Sequence, residues 1–161
     1  MGVNLYSSRD LYNWKYEGVT VKPDLEHEGA SLHPYTKMER PHVIYNARTR
    51  KFVCWLTIMR APDDQRAMTL IADSIKGPWA IAKPEFHPCG MNTGDFDLAV
   101  ASDGKAYCYF NRSHSELICA DMTDDYTDVA GRFTRHFPKP CPPYVREGPA
   151  HFIRDGFAGK L

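Results

Sequence analysis

Three carboxylates stand at matching places in the sequence. Glu39, Asp95 and Glu147 each precede a short apolar run, and they lie 56 and 52 residues apart. Carboxylates held close together raise the pKa of at least one of them, and partial burial adds to the rise. A carboxyl group that keeps its proton can act as a general acid, while an ionised neighbour orients the reacting groups or accepts a proton. The three residues therefore predict the acid chemistry that hydrolysis of a glycosidic bond requires.

A purely structural role competes with this chemistry at each position. Acidic residues at strand starts often bind backbone amides or lie in solvent. Their recurrence at one repeat position favours a shared site instead. Arg40 follows Glu39 and Arg146 precedes Glu147. Neighbouring residues of a strand point to opposite faces, so neither arginine is predicted to pair with the acid beside it.

The elements around these acids are predicted to be β-hairpins. Asp103 and Gly104 form a strong tight-turn signal, and Asp155 and Gly156 repeat it. No helical period of useful length is present, so the sequence predicts an all-β fold. The hairpins join β-branched and aromatic runs at 43–45 and 52–58, at 98–100 and 106–110, and from 151–153 onward.

A repeat of about 50 residues with four strands in each unit is typical of a β-propeller. The first strand of each blade lines the central channel, so the three acids are predicted to converge there. A second repeated element is interpreted as the outer strand, with Trp14 and Trp79 as packing residues. This element occurs at 4–14, at 69–79 and, in a weaker copy, at 117–126.

The repeat divides the chain into pieces of successive blades within one partial propeller domain, 1–161. The repeat accounts for roughly three blades. A propeller closes with about four to eight blades, so the first and last blades are predicted to be missing or incomplete. Only the last strand of the first blade is expected to be present. The predicted pieces are the end of a first blade at 1–20, a loop at 21–38, a second blade at 39–85, a third at 86–140 and a truncated fourth at 141–161.

Composition excludes several other classes of protein. Lys plus Arg total 20 and Asp plus Glu total 20, a net charge of +0 that argues against a nucleic-acid binder. No apolar stretch is long enough to span a membrane. The five cysteines include no close pair, which argues against a disulfide framework or a zinc ribbon. Cys108 and Cys119 are interpreted as buried small hydrophobes.

The remaining polar and aromatic candidates are weaker. The histidines show no metal-ligand spacing and no cofactor is predicted, while a structural metal in the central channel stays an open alternative without a visible ligand set. His42 and His151 occupy related strand positions and are predicted to make structural hydrogen bonds. Tyr109 could stack on a sugar ring, although core packing competes with that role. Asn111, just after the predicted strand that carries Tyr109, could hydrogen-bond sugar hydroxyls.

Several motifs together resemble glycoside hydrolase family 43, and most closely its exo-β-1,3-galactanase branch. The resemblance covers nearly the whole chain up to Gly156. It implies a five-bladed propeller that hydrolyses glycosidic bonds with inversion. The motifs are the runs at 2–14, 39–46 (with Glu-Arg-Pro), 94–95, 103–107 and 146–150 (Arg-Glu-Gly-Pro-Ala).

The resemblance also implies a role for each acid. Glu147 matches the general acid, and Asp95 matches the residue that tunes the pKa of that acid and orients it. Glu39 matches a carboxylate that contacts substrate. The general base is expected to lie outside this segment. Asp97 stands where the family usually has a small or hydroxyl residue, so it could compete with Asp95.

The resemblance implies an oligosaccharide or polysaccharide substrate, β-1,3-galactan or galactose-containing side chains of plant polysaccharide. An α-L-arabinofuranosidase or β-xylosidase of the same family is an alternative, as is a non-catalytic carbohydrate-binding propeller or an inactive fragment. An extracellular or periplasmic location is suggested by the substrate class only. The tail at 156–161 lacks the aromatic strand expected after the turn, and it therefore reads as a truncation or a frame change.

Overall fold

A computed structural model describes residues 2–112, 114–141, 147–154 and 157–160. The described chain is built from twelve β-strands and one short 3-10 helix at Pro88–Gly90. No described helix has the length and apolar character needed to cross a membrane. The strands are β1 (Val3–Ser8), β2 (Trp14–Val21), β3 (Lys37–Asn46), β4 (Lys51–Ala61), β5 (Asp64–Ala72), β6 (Ala80–Phe86), β7 (Phe96–Val100), β8 (Ala106–Arg112), β9 (Glu116–Met122), β10 (Val129–His136), β11 (His151–Arg154) and β12 (Phe157–Lys160).

Consecutive strands pair antiparallel, and each sheet is a simple meander. Strands β3 to β6 form one four-stranded sheet, and β7 to β10 form a second. Hairpins β1–β2 and β11–β12 form two-stranded sheets before and after them. This arrangement confirms the all-β class and the predicted hairpins. The fold is a partial five-bladed β-propeller with two four-stranded blades and parts of their neighbours.

Both faces of β4 are buried because a sheet packs on each side of it. Val53 and Trp55 point into the core shared with the β7–β10 sheet. Cys54 and Leu56, which alternate with them, point into the core shared with the β1–β2 hairpin. A strand that is buried on both faces has a continuous apolar sequence, as residues 52–58 do. The blades are therefore stacked by hydrophobic burial.

Buried polar contacts fix how the two complete blades sit against each other. The Trp55 indole Nε1–H donates to the backbone oxygen of Tyr126 at 2.8 Å. The Asn46 amide donates to the backbone oxygen of Asp124 at 2.9 Å, and the Thr69 hydroxyl donates to that of Thr127 at 2.9 Å. All three acceptors lie in the loop between β9 and β10, so this loop locks the blades in register.

The predicted role of the second repeated element was wrong. The segments at 4–14 and 69–79 form a third strand and the turn leading into the fourth, not the outer strand itself. The first blade therefore contributes two strands, β1 and β2, where one was expected. Trp79 does pack, and its Nε1–H donates to the Thr20 hydroxyl at 2.8 Å. Trp14 is 57% exposed, so its predicted packing role is not seen.

Two further expectations need correction. Residues 157–160 form strand β12 and pair with β11, although no strand was expected in this tail. Cys108 is buried as predicted, but Cys119 is only partly buried. Burial raises the pKa of the Cys54 thiol to about 12, and it raises that of Cys108 as well. The predicted turn at Asp155 and Gly156 lies outside the described residues.

Candidate active site

The inner strands β3, β7 and β11 supply the candidate acids from three successive sheets. Glu39 lies within β3, Asp95 directly precedes β7, and Glu147 lies four residues before β11. Glu39 and Asp95 line one pocket of about 170 Å³. Its other lining residues are Arg40, Thr57, Met59, Gln65, Gly94 and His114. The predicted convergence of the first two acids is therefore seen in the structure.

Asp95 is the most firmly held of the three acids. Its Oδ2 lies 2.6 Å from Nη2 of Arg40 and accepts the backbone N–H of Gly148 at 2.9 Å. Its side chain is only 19% exposed. A backbone bond from Asn111 N–H to the Asp95 carbonyl, 2.9 Å, extends the β7–β8 ladder to this position. The carboxylate thus links the β3–β6 sheet to the segment that leads into β11.

Arg40 reaches Asp95 because strand β3 is irregular at this point. The register of β3 with β4 shifts between Glu39 and His42, and Arg40 has a φ of 54°. A bulge of this kind breaks the alternation of faces and re-aims a side chain. Sequence reasoning missed Arg40 because it assumed regular alternation. Pro41 was an available signal, since proline inside a strand is typical of an edge or a bulge.

Glu147 lies beside the Asp95 contact but is itself open to solvent. Its side chain is 67% exposed, and its Oε1 lies 3.3 Å from Nδ1 of His114. His114 also lines the pocket that contains Glu39 and Asp95. Gly148, the next residue, has a φ of 54°, a backbone conformation that glycine adopts without strain. The structure therefore brings Glu147 to the edge of the same pocket. Arg146 lies outside the described residues.

A second cluster of polar groups lies on the same inner strands. Asp97 contacts both His42, at 3.3 Å, and His151, at 2.6 Å, through the Nδ1 atoms of their rings. The predicted structural hydrogen bonding is confirmed for His151, whereas His42 makes an ion-pair contact with Asp97. Burial lowers the pKa of His42, and nearby His151 lowers it further, while the Asp97 charge opposes the shift. No group of three or more His, Cys, Asp or Glu in the described ranges could hold a metal ion.

Tyr109 does not lie in the pocket that contains the acids. It is paired with Asp97 across β7 and β8, and its ring stacks on His151 with centroids 6.4 Å apart. Burial raises the pKa of Tyr109 to about 12, helped by the neighbouring Cys119. This environment is that of a side chain packed between sheets. A sugar contact by Tyr109 therefore stays a prediction that the structure does not support.

Asn111 is placed beneath the pocket rather than on its surface. The residue is 1% exposed, and its side-chain oxygen and nitrogen have no hydrogen-bond partner within the described part of the chain. Gly94 covers it so closely that a Cβ on Gly94 would lie 1.9 Å from Asn111 Oδ1. Direct contact with a sugar, as predicted, is incompatible with this burial. Asn111 instead forms part of the floor under Asp95.

The close approach of Gly94 to Asn111 predicts that a larger residue at position 94 lowers the stability of the fold. Gly94→Ala is expected to lower the free energy of unfolding by about 1–3 kcal/mol, because the new methyl group overlaps a buried side chain. Urea denaturation followed by tryptophan fluorescence measures the change. The clashing atoms belong to the Asn111 side chain. Gly94→Ala combined with Asn111→Ala should therefore lose less stability than the two single changes added together, and strict additivity would contradict the proposed overlap.

A larger surface cavity of about 480 Å³ lies at the other end of β7, where Asp103, Lys105, Asp121 and Arg132 line it. None of the three recurring acids lines that cavity, so the smaller pocket is the better candidate for the site. It combines an ion pair whose carboxylate is largely shielded, a cluster of carboxylates and a polar floor. Paired carboxyl groups in distinct environments are the arrangement that acid catalysis uses.

Comparison with known proteins identifies relatives of this arrangement. A family model described as Glycosyl hydrolases family 43 matches residues 1–158. Among solved structures, the chain is similar to a GH43 beta-1,3-galactosidase, with 31% identity and a TM-score of 0.83 over 95% of this chain and 32% of that one. A comparison with curated protein sequences found no match.

Two further structures are similar over most of the chain. One is a GH43 beta-1,3-galactosidase solved with galactodeoxynojirimycin, with 29% identity, a TM-score of 0.83, and coverage of 96% of this chain and 58% of that one. The other is an exo-beta-1,3-galactanase from Clostridium thermocellum, with 25% identity, a TM-score of 0.76, and coverage of 98% and 35%. The chain thus spans between 32% and 58% of the length of these three relatives.

Proposed function

The chain belongs to glycosyl hydrolases family 43, and on that premise we propose that it contributes to the exo-acting hydrolysis of β-1,3-linked galactan with inversion at the anomeric carbon. The observation that carries the proposal is the Asp95 carboxylate. It accepts the N–H of Gly148, next to Glu147, while Arg40 holds it from the other side. The similarity to structures described as galactosidases and a galactanase supports galactose as the sugar.

The proposed reaction is a single displacement. Glu147 gives its proton to the departing glycosidic oxygen, and Asp95 orients and modulates Glu147 through the segment that joins them. Glu39, in the pocket with Asp95, binds sugar hydroxyls. A water molecule attacks the anomeric carbon from the opposite face, and a base takes its proton. We assign no described residue as that base, which in inverting enzymes lies about 6.5–9.5 Å from the acid.

A substrate panel tests the proposed specificity. The protein produced from its complete coding sequence is expected to release galactose from β-1,3-galactan at least about tenfold faster than it releases sugars from arabinan or xylan. Proton NMR of the first product should show the α-anomer, because inversion converts a β-linkage into an α-product. Faster release of arabinose or xylose would favour the arabinofuranosidase or xylosidase alternative, and a β-product would contradict inversion.

One observation favours a second candidate, a carbohydrate-binding propeller without catalysis. Glu147 is 67% exposed and faces His114, whereas general acids of glycosidases are commonly shielded from solvent. The two candidates differ in a direct measurement. Binding of galacto-oligosaccharide by calorimetry with no release of reducing ends over hours would support the binding protein, and stoichiometric release of galactose would exclude it.

A further inference from the structure

Asp97 contacts the sheets on both sides of its own. Its Oδ2 accepts the backbone N–H of His151 at 2.7 Å and lies 2.6 Å from Nδ1 of the same residue. Its Oδ1 lies 3.3 Å from Nδ1 of His42 and accepts the backbone N–H of Leu98 at 2.9 Å. Asp97 therefore joins β3, β7 and β11 at one level of the inner strands.

These contacts satisfy a carboxylate that is only 9% exposed. A buried charge is tolerated when hydrogen bonds surround it. A carboxylate oxygen accepts hydrogen bonds, so His151 is expected to present its Nδ1–H to Oδ2, while Nδ1 of His42 lies 3.3 Å from Oδ1. The ring of His42 stacks on Phe96, and the ring of His151 stacks on Tyr109, which holds both imidazoles in place.

Asp97 and Asp95 together hold the two ends of the segment that follows Glu147. Asp95 accepts the N–H of Gly148, and Asp97 accepts the N–H of His151. Asp95 and Asp97 are two residues apart, and the two residues that they hold, Gly148 and His151, are three residues apart. Because Glu147 directly precedes Gly148, its position depends on how this segment is held.

We propose that Asp97 is a positioning residue for Glu147, and that it acts through His151 by fixing the start of β11 against β7. The inference rests on the proposed role of Glu147 as general acid. It assigns to Asp97 a task separate from that of Asp95, which holds the segment at Gly148. A misplacement of the acid by a fraction of an ångström lowers the rate of proton transfer without removing the acid.

The dependence on leaving group tests this proposal. Asp97→Asn, in the protein from its complete coding sequence, is expected to lower kcat on β-1,3-galactan about tenfold with little change in KM. Hydrolysis of a dinitrophenyl β-galactoside should fall less than about threefold, because that leaving group departs without a proton. Equal loss on both substrates would mean a general folding effect and would overturn the proposal, as would unchanged kcat on galactan.

Asp128→Asn is a matched control. Asp128 also accepts the N–H of the residue that follows it, at 2.8 Å, and also pairs with a side chain of the neighbouring sheet, Lys83. It lies at the β9–β10 loop, away from the pocket. Its replacement is expected to lower stability without altering the ratio of the two rates. A ratio that shifts as much as in Asp97→Asn would overturn the assignment to Asp97.

Two measurements keep the inference testable on its own. Nitrogen NMR of the imidazoles in the unmodified protein should show His151 protonated at Nδ1, and a proton on Nε2 instead would overturn the contact. Should Asp97→Asn fail to fold, His151→Gln removes the imidazole contact and keeps the backbone one, and the same selective loss on galactan is expected. If Glu147→Gln keeps full activity, Glu147 is not the general acid, whatever the NMR result. If Glu147→Gln is inactive but Asp97→Asn has normal activity, only the role proposed for Asp97 is rejected.

Discussion

Glu147→Gln is expected to lower kcat on β-1,3-galactan by about 10²–10⁴-fold, the usual contribution of a general acid. The amide keeps the size of the side chain and its reach to His114, 3.3 Å from the carboxylate, but it has no acidic proton to give. The loss should appear in kcat with KM nearly unchanged. Release of galactose under substrate saturation, measured in the protein from its complete coding sequence, gives both constants.

The nature of the leaving group distinguishes a missing acid from a damaged fold. On a dinitrophenyl β-galactoside the same variant should keep activity within about tenfold of the unmodified protein, because no proton is needed for departure. Glu28→Gln changes another exposed carboxylate, in the segment before β3, and should leave both rates unchanged. Near-normal turnover of galactan by Glu147→Gln would remove Glu147 from the acid role.

The repeat in the sequence predicted that the recurring acids lie near one another, and the structure places Glu39 and Asp95 on one pocket. Equivalent positions of successive blades face one axis, so the spacing of Glu39, Asp95 and Glu147 carried three-dimensional information without any homologous structure. The pocket shared by Glu39 and Asp95, and the bond from Asp95 to Gly148, follow that expectation. Periodicity predicts an architecture well because it depends on the whole chain rather than on one residue.

Departures from regular strand geometry were not predictable in the same way. The alternation rule placed Arg40 on the face opposite Glu39, whereas the bulge turns its guanidinium toward Asp95. The ion pair changes the expected electrostatics, because a cation now lies among the three carboxylates. Crowding of like charges, the original argument for the site, is therefore partly compensated.

Contacts between sheets also could not be predicted from the sequence. Asn111 follows the aromatic run at 106–110 and was predicted to reach sugar, but whether the end of a strand is covered depends on the neighbouring loop. Here Gly94 closes over it, and how near the two residues come is not specified by their spacing along the chain. In the same way His42, Asp97 and His151 were each recognised as polar residues on inner strands. Their meeting at one carboxylate depends on inter-blade distances that spacing along the chain does not specify.

Asp95→Asn is expected to lower kcat on β-1,3-galactan by about 10²-fold, because one oxygen of Asp95 holds two donors at once. Oδ2 receives both Nη2 of Arg40 and the N–H of Gly148. An asparagine amide can place its one oxygen where Oδ2 lies, but that oxygen carries no charge and accepts both hydrogen bonds more weakly. The segment carrying Glu147 should therefore be held less firmly, while Arg40 is left without its anionic partner.

A double-mutant cycle separates the two contacts of Asp95. Arg40→Met alone should reduce galactan turnover less than Asp95→Asn, because the carboxylate still accepts the N–H of Gly148. Combining the two changes should cost less than the sum of the single effects, since the ion pair is lost only once. Asp103→Asn is the matched control, because Asp103 also accepts a backbone N–H, that of Lys105 at 3.0 Å, in an exposed turn. If Asp95→Asn turned over galactan as fast as this control, Asp95 would act only as a structural residue, and the acid at position 147 would have to be oriented by other means.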